Sequence, residues 1–208
     1  MAKLNAEFFL RDTVEVARDL LGRYLVRSIN GTLLVGRITE TEAYIGAIDK
    51  ACHAYGGRVT PRTRTLYAAP GTVYVYLIYG MYHCLNFVTE PEGTASAVLI
   101  RGCTPVYNQN AIAQARFGTD YTQLSPYQVK NLLNGPGKLC KGFLIDTSLN
   151  NVPCESDELF LADELPELGF PGRDTVFFYN TGKRIGIDYA GEAADFLWRF
   201  WTTEDTLC

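Results

Sequence analysis

The sequence lacks several features that mark common classes of protein. Its uninterrupted apolar runs fall far short of the roughly 18 residues that a membrane helix needs, and residues 1–10 lack the basic and then apolar segments of a signal peptide. No G-x-G-x-x-G motif follows a predicted strand, and no G-x-S-x-G motif is present. We therefore expect a soluble, non-secreted protein without membrane contact that is neither a dinucleotide-binding enzyme nor a serine hydrolase.

Metal-binding residues are also scarce. The sequence has 2 histidines, and its 6 cysteines are far apart, without a C-x-x-C pair. A structural zinc site normally needs four clustered ligands, so we predict no metal site, and no cofactor is expected. The cysteines are interpreted as reduced small apolar residues. They are Cys52, Cys84, Cys103, Cys140, Cys154 and Cys208.

The composition is that of a globular protein with many turns. Of the 208 residues, 47% are hydrophobic and 20% are charged, with 19 glycines and 9 prolines. These values argue against a disordered or fibrous chain. At about 150 residues per domain, the length predicts a single domain spanning residues 1–208.

Charge is unevenly distributed along the chain. The net charge is −4, yet residues 51–150 carry 8 basic and 4 acidic residues, whereas residues 151–208 carry 4 basic and 12 acidic residues. Three arginines without a neighbouring acid, Arg58, Arg62 and Arg64, stand in a stretch rich in glycine and proline that is typical of an exposed loop. This loop is either a local site for a polyanion or merely solvated.

The pattern of elements predicts an α+β fold. A D-x-x-E sequence at Asp12 begins a helix, and Asn30-Gly31 joins the strands 24–29 and 33–39 in a hairpin. Strands at 72–78, 82–89 and 96–101 have short connections, which favour antiparallel neighbours. Helices are predicted at 107–116 and 126–134, and further strands at 157–162, 174–180 and 183–188.

Two carboxylates follow an apolar strand. Glu40 and Glu42 lie two residues apart, so they share one face at about 6.6 Å along the strand, and Tyr44 extends the same row. Paired carboxylates at this reach resemble the acid and base of a glycosidase. The alternative is a pair of solvated surface glutamates.

An aromatic face and two polar residues mark the next strands. Tyr74 and Tyr76 share a face of one strand, and Tyr79 precedes a glycine at its turn, where it could project from the tip. Such tyrosines beside arginines can stack on bases, although cross-strand core packing is the alternative. Asn86 is an amide in an apolar run that needs a partner or a ligand, and Arg101 ends a strand on the same face as Leu99.

The segment 134–138, NGPGK, resembles a phosphate-binding loop at the start of a helix, with Lys138 as its cation. It does not match the P-loop, because the G-x-x-x-x-G-K-[ST] spacing is absent and Leu139 follows the lysine. Nucleotide triphosphate binding is therefore not expected.

Five blocks in order resemble one known family. They are GRITETEAYIGAIDKACHAYGGRVTPRTR, PGTVYVYLIYGMYHCLNF, AVLIRGCTPV, NGPGKLCKGF and RIGIDYAGE. The chain is similar, from about residue 6 to 198, to the alkyladenine (3-methyladenine) DNA glycosylase family of the purine-DNA glycosylase type. The resemblance implies one compact α+β domain with a curved, mainly antiparallel sheet flanked by helices, and a protruding aromatic hairpin that enters the minor groove.

The resemblance also implies residue roles, matched motif by motif. Glu42 resembles the general base that activates water, and Arg101 would help hold the water and the target nucleotide's phosphate. The pocket for the flipped base would be formed by five side chains. They are Tyr44, His53, Tyr76, Asn86 and Leu99.

The remaining implied roles concern the DNA. Tyr79 would occupy the gap that the flipped nucleotide leaves. The DNA backbone would be contacted by four cations, which are Arg58, Arg62, Arg64 and Lys138.

The expected function is that of a monofunctional DNA glycosylase. It would flip 3-methyladenine, 7-methylguanine, hypoxanthine or ethenoadenine out of duplex DNA, hydrolyse the N-glycosidic bond and leave an abasic site for base excision repair. Strand nicking would need an amine nucleophile, and segments 39–49 and 72–101 contain no lysine.

Parts of the sequence also fit two alternatives to this function. A non-catalytic DNA-damage-binding module would not need Glu42. A carbohydrate glycosidase would leave the arginine loop unexplained, since a neutral sugar does not require it. We further expect a monomer whose partner is double-stranded DNA with damaged purines. The short N-terminus suggests a bacterial, cytoplasmic and nucleoid-associated protein, whereas a eukaryotic one would be nuclear.

Overall fold

The fold is built on one eight-stranded sheet in which every pairing is antiparallel. The computed structural model describes residues 2–173 and 178–202. The strands are β1 (Tyr24–Ile29), β2 (Thr32–Ile45), β3 (Val73–Ile78), β4 (Tyr82–Thr89), β5 (Ser96–Tyr107), β6 (Leu159–Ala162), β7 (Tyr179–Gly182) and β8 (Arg199–Thr202). Their order is β3-β4-β5-β2-β1-β6, and β8 pairs with both β2 and β7.

Short helices and single turns connect and cover the strands. The helices are α1 (Ala6–Phe9), α2 (Thr13–Asp19), α3 (Gln109–Phe117), α4 (Pro126–Lys130) and α5 (Pro136–Gly142). Single 3-10 turns occur at Gly46–Ile48, Tyr55–Gly57, Arg64–Tyr67, Tyr121–Gln123, Thr147–Leu149 and Pro166–Leu168, and a longer 3-10 stretch covers Asp188–Asp195. In the described part of the chain, no helix is long and apolar enough to cross a membrane.

The β1-β2 hairpin is formed as its turn residues predict. Asn30 and Gly31 have φ values of 49° and 79°, and Ile29 pairs with Thr32. Two consecutive positive φ values are the signature of the tight hairpin turn whose twist matches that of the strands. Asn and Gly are the residues that adopt this backbone most readily.

The long strand β2 is the centre of the sheet, and its pairing with β5 is irregular at three places. Its pairing with β5 shifts register between Val35 and Gly36, between Ile38 and Glu40, and between Glu40 and Thr41. Such bulges bend a strand and redirect its side chains. The sheet consequently curls, and the predicted curved antiparallel sheet in a single compact α+β domain is confirmed.

The main core lies between the sheet and helices α2 and α5. Helix α2 lies against β2 and β5, and α5 lies against β4 and β5. Phe9, Phe87 and Phe143 are fully buried there, and the rings of Phe9 and Phe87 stack with centroids 5.5 Å apart. Burial of a large apolar side chain contributes about 1.5–3 kcal/mol, so this cluster is a principal source of stability.

Cysteines contribute to the interior as apolar residues. Five of them are buried and unpaired in the described chain, which agrees with their interpretation as reduced small residues, and the sixth lies outside it. Burial raises the pKa of the Cys52 and Cys154 thiols to about 11 and also raises the pKa of the other three.

Two predicted elements need correction, and a third lies partly outside the described residues. Residues 183–188 do not form a strand, because Arg184 is drawn into the interior by Asp49 and Gly186 adopts a φ of 76°. The second helix predicted for 126–134 ends at Lys130, and Asn134 makes an isolated bridge to Gly102 instead. The strand predicted at 174–180 lies partly outside the described residues, although 179–182 does form a strand.

Candidate functional site

Glu42 lies in the middle of the sheet, on the segment of β2 that is paired on both edges. It is opposite Leu99 of β5 on one side and Arg199 of β8 on the other. The residue is fully buried. A buried carboxylate normally requires several hydrogen-bond donors, and the surroundings of Glu42 supply them.

Three donors hold the Glu42 carboxylate. The Ile185 backbone N–H donates to Oε1 at 2.8 Å, the Tyr44 hydroxyl donates to Oε2 at 2.7 Å, and Arg101 Nη1 lies 3.4 Å from Oε2. A carboxylate offers about four acceptor positions. Within the described part of the chain, these three contacts leave about one lone-pair position of the carboxylate unfilled.

The same surroundings set the protonation of Glu42. Burial raises the pKa of Glu42, and this effect outweighs the lowering by Arg101, by the Ile185 N–H and by the Tyr44 hydroxyl. Burial and the neighbouring carboxylate also raise the pKa of Tyr44 well above its usual value, so its hydroxyl stays a donor. A carboxylate with a raised pKa is a stronger base than an ordinary surface glutamate.

Glu40 is part of the same network, so the alternative of two solvated glutamates is wrong. Its Oε1 accepts from Arg101 Nε at 3.1 Å and from Arg199 Nε at 2.5 Å. Arg101 thus bridges both carboxylates and is itself buried. The two carboxylates and the two guanidiniums have balanced charges. Glu40 binds Arg101 at Nε, whereas Glu42 contacts it at Nη1.

An aromatic pocket adjoins this cluster. A cavity of about 30 Å³ is lined by Tyr44, Ala51, Cys52, His53, Leu66, Tyr74, Tyr76, Asn86 and Ala97. Within it, the rings of His53 and Tyr76 meet edge to face with centroids 4.6 Å apart. Asn86 is buried, and its Nδ2 donates to the carbonyl of Tyr74 at 3.0 Å. Tyr74 is packed in a small core cluster, so for this tyrosine the alternative of core packing is correct.

A larger cavity of about 240 Å³ opens beside the first and shares several of its walls. Tyr44, His53 and Tyr76 line both cavities, and Leu99, Arg101 and Ile185 line only the larger one. Glu42 lies behind Tyr44, Arg101 and Ile185, its three hydrogen-bond partners, all of which face the larger cavity. The structure therefore brings all five residues of the predicted base pocket together next to the two residues predicted as catalytic.

Tyr79 stands at the tip of the β3-β4 hairpin. Its φ is 51° and that of Gly80 is 68°, which gives the tight turn expected from the sequence. The Tyr79 side chain is 84% exposed, yet it also lines the larger cavity. An exposed aromatic ring at the rim of a pocket is suited to enter a stacked duplex.

The predicted cations occupy different environments. Arg58, Arg62 and Arg64 are exposed, as expected for the loop. Arg62 nevertheless reaches the aromatic pocket, where its Nη2 lies 3.3 Å from His53 Nε2. Lys138 Nζ donates to Asn131 Oδ1 at 2.8 Å and to Asn134 Oδ1 at 2.9 Å, so its own loop orients the ammonium group.

The sequence pattern did not predict that the segment around Ile185 also holds Glu42. Ile185 supplies the N–H, and the preceding Arg184 forms a fully buried ion pair with Asp49. The guanidinium of Arg184 also lies 4.7 Å from the centre of the Tyr44 ring. The block RIGIDYAGE was part of the resemblance, but its pattern alone carried no role.

Metal-binding groups were also sought in the site. Among residues 2–173 and 178–202, no group of three or more histidine, cysteine, aspartate or glutamate side chains is arranged to hold a metal ion.

Comparison with known proteins confirms the resemblance. The family model described as methylpurine-DNA glycosylase matches residues 7–206. A Clostridium perfringens protein (strain 13 / Type A), provisionally named 3-methyladenine DNA glycosylase, is 52% identical over 204 residues, which cover 98% of this chain and 97% of that protein. A protein of the same provisional name from Clostridium botulinum (strain Loch Maree / Type A3) is 47% identical with the same coverage. The chain therefore belongs to the methylpurine-DNA glycosylase family, whose activity is the hydrolysis of N-glycosyl bonds in DNA.

Proposed function

We propose that this chain is a monofunctional glycosylase that removes alkylated and deaminated purines from duplex DNA by means of a water activated by Glu42. The observation that carries the proposal is the buried Glu42 carboxylate, with a raised pKa and an acceptor position to spare, directly behind an aromatic pocket. A module that only binds damaged DNA has no need of such a carboxylate. The provisional names of the relatives support 3-methyladenine as one substrate.

The proposed reaction begins with extrusion of the base. A base inside the duplex cannot be reached, so the nucleotide must rotate out, at a cost of a few kcal/mol. Tyr79 at the hairpin tip fills the gap in the stack, while Tyr44, His53 and Tyr76 offer ring faces to the flipped base. Asn86 lines the smaller cavity and Leu99 the larger one, and contacts of these side chains to the base decide which purines fit.

The hydrolytic step then needs one base. Glu42 accepts a proton from water as the water oxygen bonds to the anomeric carbon and the C–N bond breaks, with the electron pair leaving on the purine. A positively charged alkylated purine leaves as a neutral base, so a second carboxylate is unnecessary. A neutral purine such as hypoxanthine leaves as an anion and takes up a proton from solvent. Arg101 favours the ionised form of Glu42 against the effect of burial, and it faces the cavity where the sugar and its phosphate would lie.

No strand nicking is proposed. A lyase step needs an amine that forms a Schiff base with the sugar. In the described part of the chain, neither of the two cavities beside Glu42 is lined by a lysine.

Because the named relatives are bacterial, we propose that the protein acts on chromosomal DNA in the cytoplasm. We also propose that it acts as a monomer.

The deciding experiment uses an end-labelled duplex with one hypoxanthine or 3-methyladenine. The protein is expected to leave the strand intact until hot alkali cuts it at the abasic site. Cleavage before alkali would contradict the monofunctional assignment. Lesion-specific binding without any alkali-sensitive product would show a binding module instead.

Replacement of Tyr79 by alanine should weaken lesion binding. Stacking of an aromatic side chain on a base contributes about 1–3 kcal/mol, so Kd for the lesion duplex should rise roughly 5- to 150-fold. Tyr79→Phe keeps the ring and serves as the control, with Kd close to that of the wild type. If the alanine variant and the wild type bound the lesion duplex with equal affinity, Tyr79 would not be the residue that fills the gap in the stack.

The pH dependence of excision should reveal the coupling of the two glutamates. Excision needs ionised Glu42, so kcat/KM should rise with pH through the Glu42 pKa, which burial raises from the ordinary value of a glutamate. The negative charge of Glu40 contributes to the raised pKa of Glu42. In Glu40→Gln, the Glu42 pKa should therefore fall, and the acidic limb of the pH–rate profile should move to lower pH. Single-turnover rates between pH 4 and 8, a range chosen around the usual glutamate pKa of about 4.3, would measure the shift. Glu92→Gln, at an exposed position, should leave the limb in place, and a Glu40→Gln limb at the wild-type position would exclude the coupling.

A further inference from the structure

Arg62 does not behave like the other two arginines of its loop. Its guanidinium carbon lies 5.0 Å from the centre of the Tyr76 ring, and its Nη2 lies 3.3 Å from His53 Nε2. It also lines the larger cavity. No described contact of the Arg58 or Arg64 side chain reaches this pocket. One cation of the loop is therefore folded over the aromatic walls while its neighbours remain in solvent.

The contact fixes the proton on His53. A guanidinium has N–H donors and no acceptor, so His53 Nε2 must accept from Arg62. The proton of the neutral ring then lies on Nδ1, which is 3.1 Å from the Tyr74 hydroxyl and donates to it. Burial lowers the pKa of His53 to about 4, and the charge of Arg62 contributes to this shift, so the ring is neutral near pH 7.

Arg62 occupies positions that a flipped base would use. Its planar group lies against the face of Tyr76 and donates to His53 Nε2, as a flat purine with a hydrogen-bond donor on its edge would do. The cavity of about 30 Å³ has room for a water molecule or two but not for a purine ring, so a base must also use the larger cavity, which Arg62 lines. Base and guanidinium therefore compete for the same ring face and the same acceptor.

We propose that Arg62 is a specificity-determining residue that acts as an internal competitor of the purine, occupying the base subsite in the free protein and leaving it for a DNA phosphate when a flipped nucleotide enters. This inference rests on the proposed function, since it assumes that the pocket receives a purine. Arginine suits both positions, because its guanidinium stacks on aromatic rings and also pairs with phosphate in bidentate fashion.

The exchange discriminates between a base attached to DNA and a free base. A nucleotide in DNA brings phosphates that draw Arg62 away, whereas a free purine must displace the guanidinium without compensation. Free purines, including the excised product, consequently bind weakly, and the site stays available for lesions.

The test is the affinity of the protein for free 3-methyladenine, measured by calorimetry without DNA. Arg62→Ala should bind the base about two- to fivefold more tightly than the wild type, the factor expected when a cation–π contact at an exposed site no longer has to be displaced. Its affinity for the lesion duplex should stay equal or fall. Arg64→Ala is the matched control and should bind the free base like the wild type. An Arg62→Ala affinity no greater than that of the control would overturn the proposal.

A second measurement does not require a ligand. Because the chain has 2 histidines, the His53 ring can be titrated by NMR and told apart from His83. In Arg62→Ala the His53 pKa should rise from about 4 toward the usual value, since one of its two lowering causes is gone. An unchanged His53 pKa would show that the guanidinium does not rest on the pocket in solution.

The failure of this proposal can be told apart from that of the proposed function. If the wild type excises hypoxanthine and Arg62→Ala gains no affinity for the free base, the competitor role is wrong and the glycosylase assignment stands. If Arg62→Ala gains affinity while neither protein excises any damaged purine, the competitor role stands and the proposed reaction is wrong.

Discussion

Replacement of Glu42 by glutamine is expected to reduce the rate of excision by about 10²–10⁴-fold, the usual contribution of a positioned general base. Glutamine keeps the shape of the side chain, and its oxygen can still accept from the Ile185 N–H at the Oε1 position. Its NH2 group then takes the Oε2 position, where the Tyr44 hydroxyl can turn to accept from it. Its amide cannot accept a proton from water. Binding of the lesion duplex should therefore stay within a few-fold of the wild type.

Single-turnover excision and a lesion-duplex Kd, measured on the same preparations, separate these effects. Glu40→Gln is the matched control, because it removes a carboxylate from the same strand and the same arginine. Near the pH optimum it should keep most of the wild-type rate, since Glu40 acts through Arg101. Wild-type rates in Glu42→Gln, or equal losses in both variants, would contradict the assignment of Glu42 as the base.

Replacement of Asp49 by alanine is expected to lower the free energy of unfolding by about 3–5 kcal/mol, the usual effect of removing one partner of a buried ion pair. Asp49 receives two N–H groups of Arg184, at 2.5 and 2.8 Å, and both side chains are fully buried. Without Asp49, the carbonyls of Ala43 and Ala193 are the hydrogen-bond partners that the described part of the chain leaves to the guanidinium. An uncompensated buried charge is the cause of the loss.

Urea unfolding followed by tyrosine and tryptophan fluorescence would measure the effect. Lys183→Ala, next to Arg184, is the control: it breaks an ion pair to Asp195 whose side chains are 63% and 72% exposed. Exposed pairs contribute about 0–1 kcal/mol, so its unfolding curve should nearly match the wild type. A loss below about 1 kcal/mol in Asp49→Ala would mean that the pair is not buried in solution.

Local patterns were sufficient for much of the fold. The Asn30-Gly31 pair sets its own backbone, and alternation along β3 placed Tyr74 and Tyr76 on one face. The position of Tyr79 before Gly80 was enough to predict an exposed tip. The two-residue spacing of Glu40 and Glu42 correctly put both on one side of β2, where both reach Arg101.

What the sequence could not provide was burial and long-range contact. Alternation indicates which side chains share a face, but not whether that face meets solvent, so two solvated glutamates remained an alternative. Arg184 meets Asp49 across 135 residues of chain, and Ile185 meets Glu42 across 143, and no local periodicity reports such meetings. Arg62 reads as one more surface arginine until His53 and Tyr76 are placed beside it.

The buried cysteines have a consequence for survival under chemical stress. Methylating agents react with thiolates, and a thiol becomes a target when it is exposed and ionises near neutral pH. The five cysteines of the described chain meet neither condition, because they are buried and their pKa values are raised. For an enzyme of the proposed function, the electrophiles that create its substrates are also present in the cell with it. A core without a reactive sulfur lets the protein keep working while those reagents are damaging the DNA.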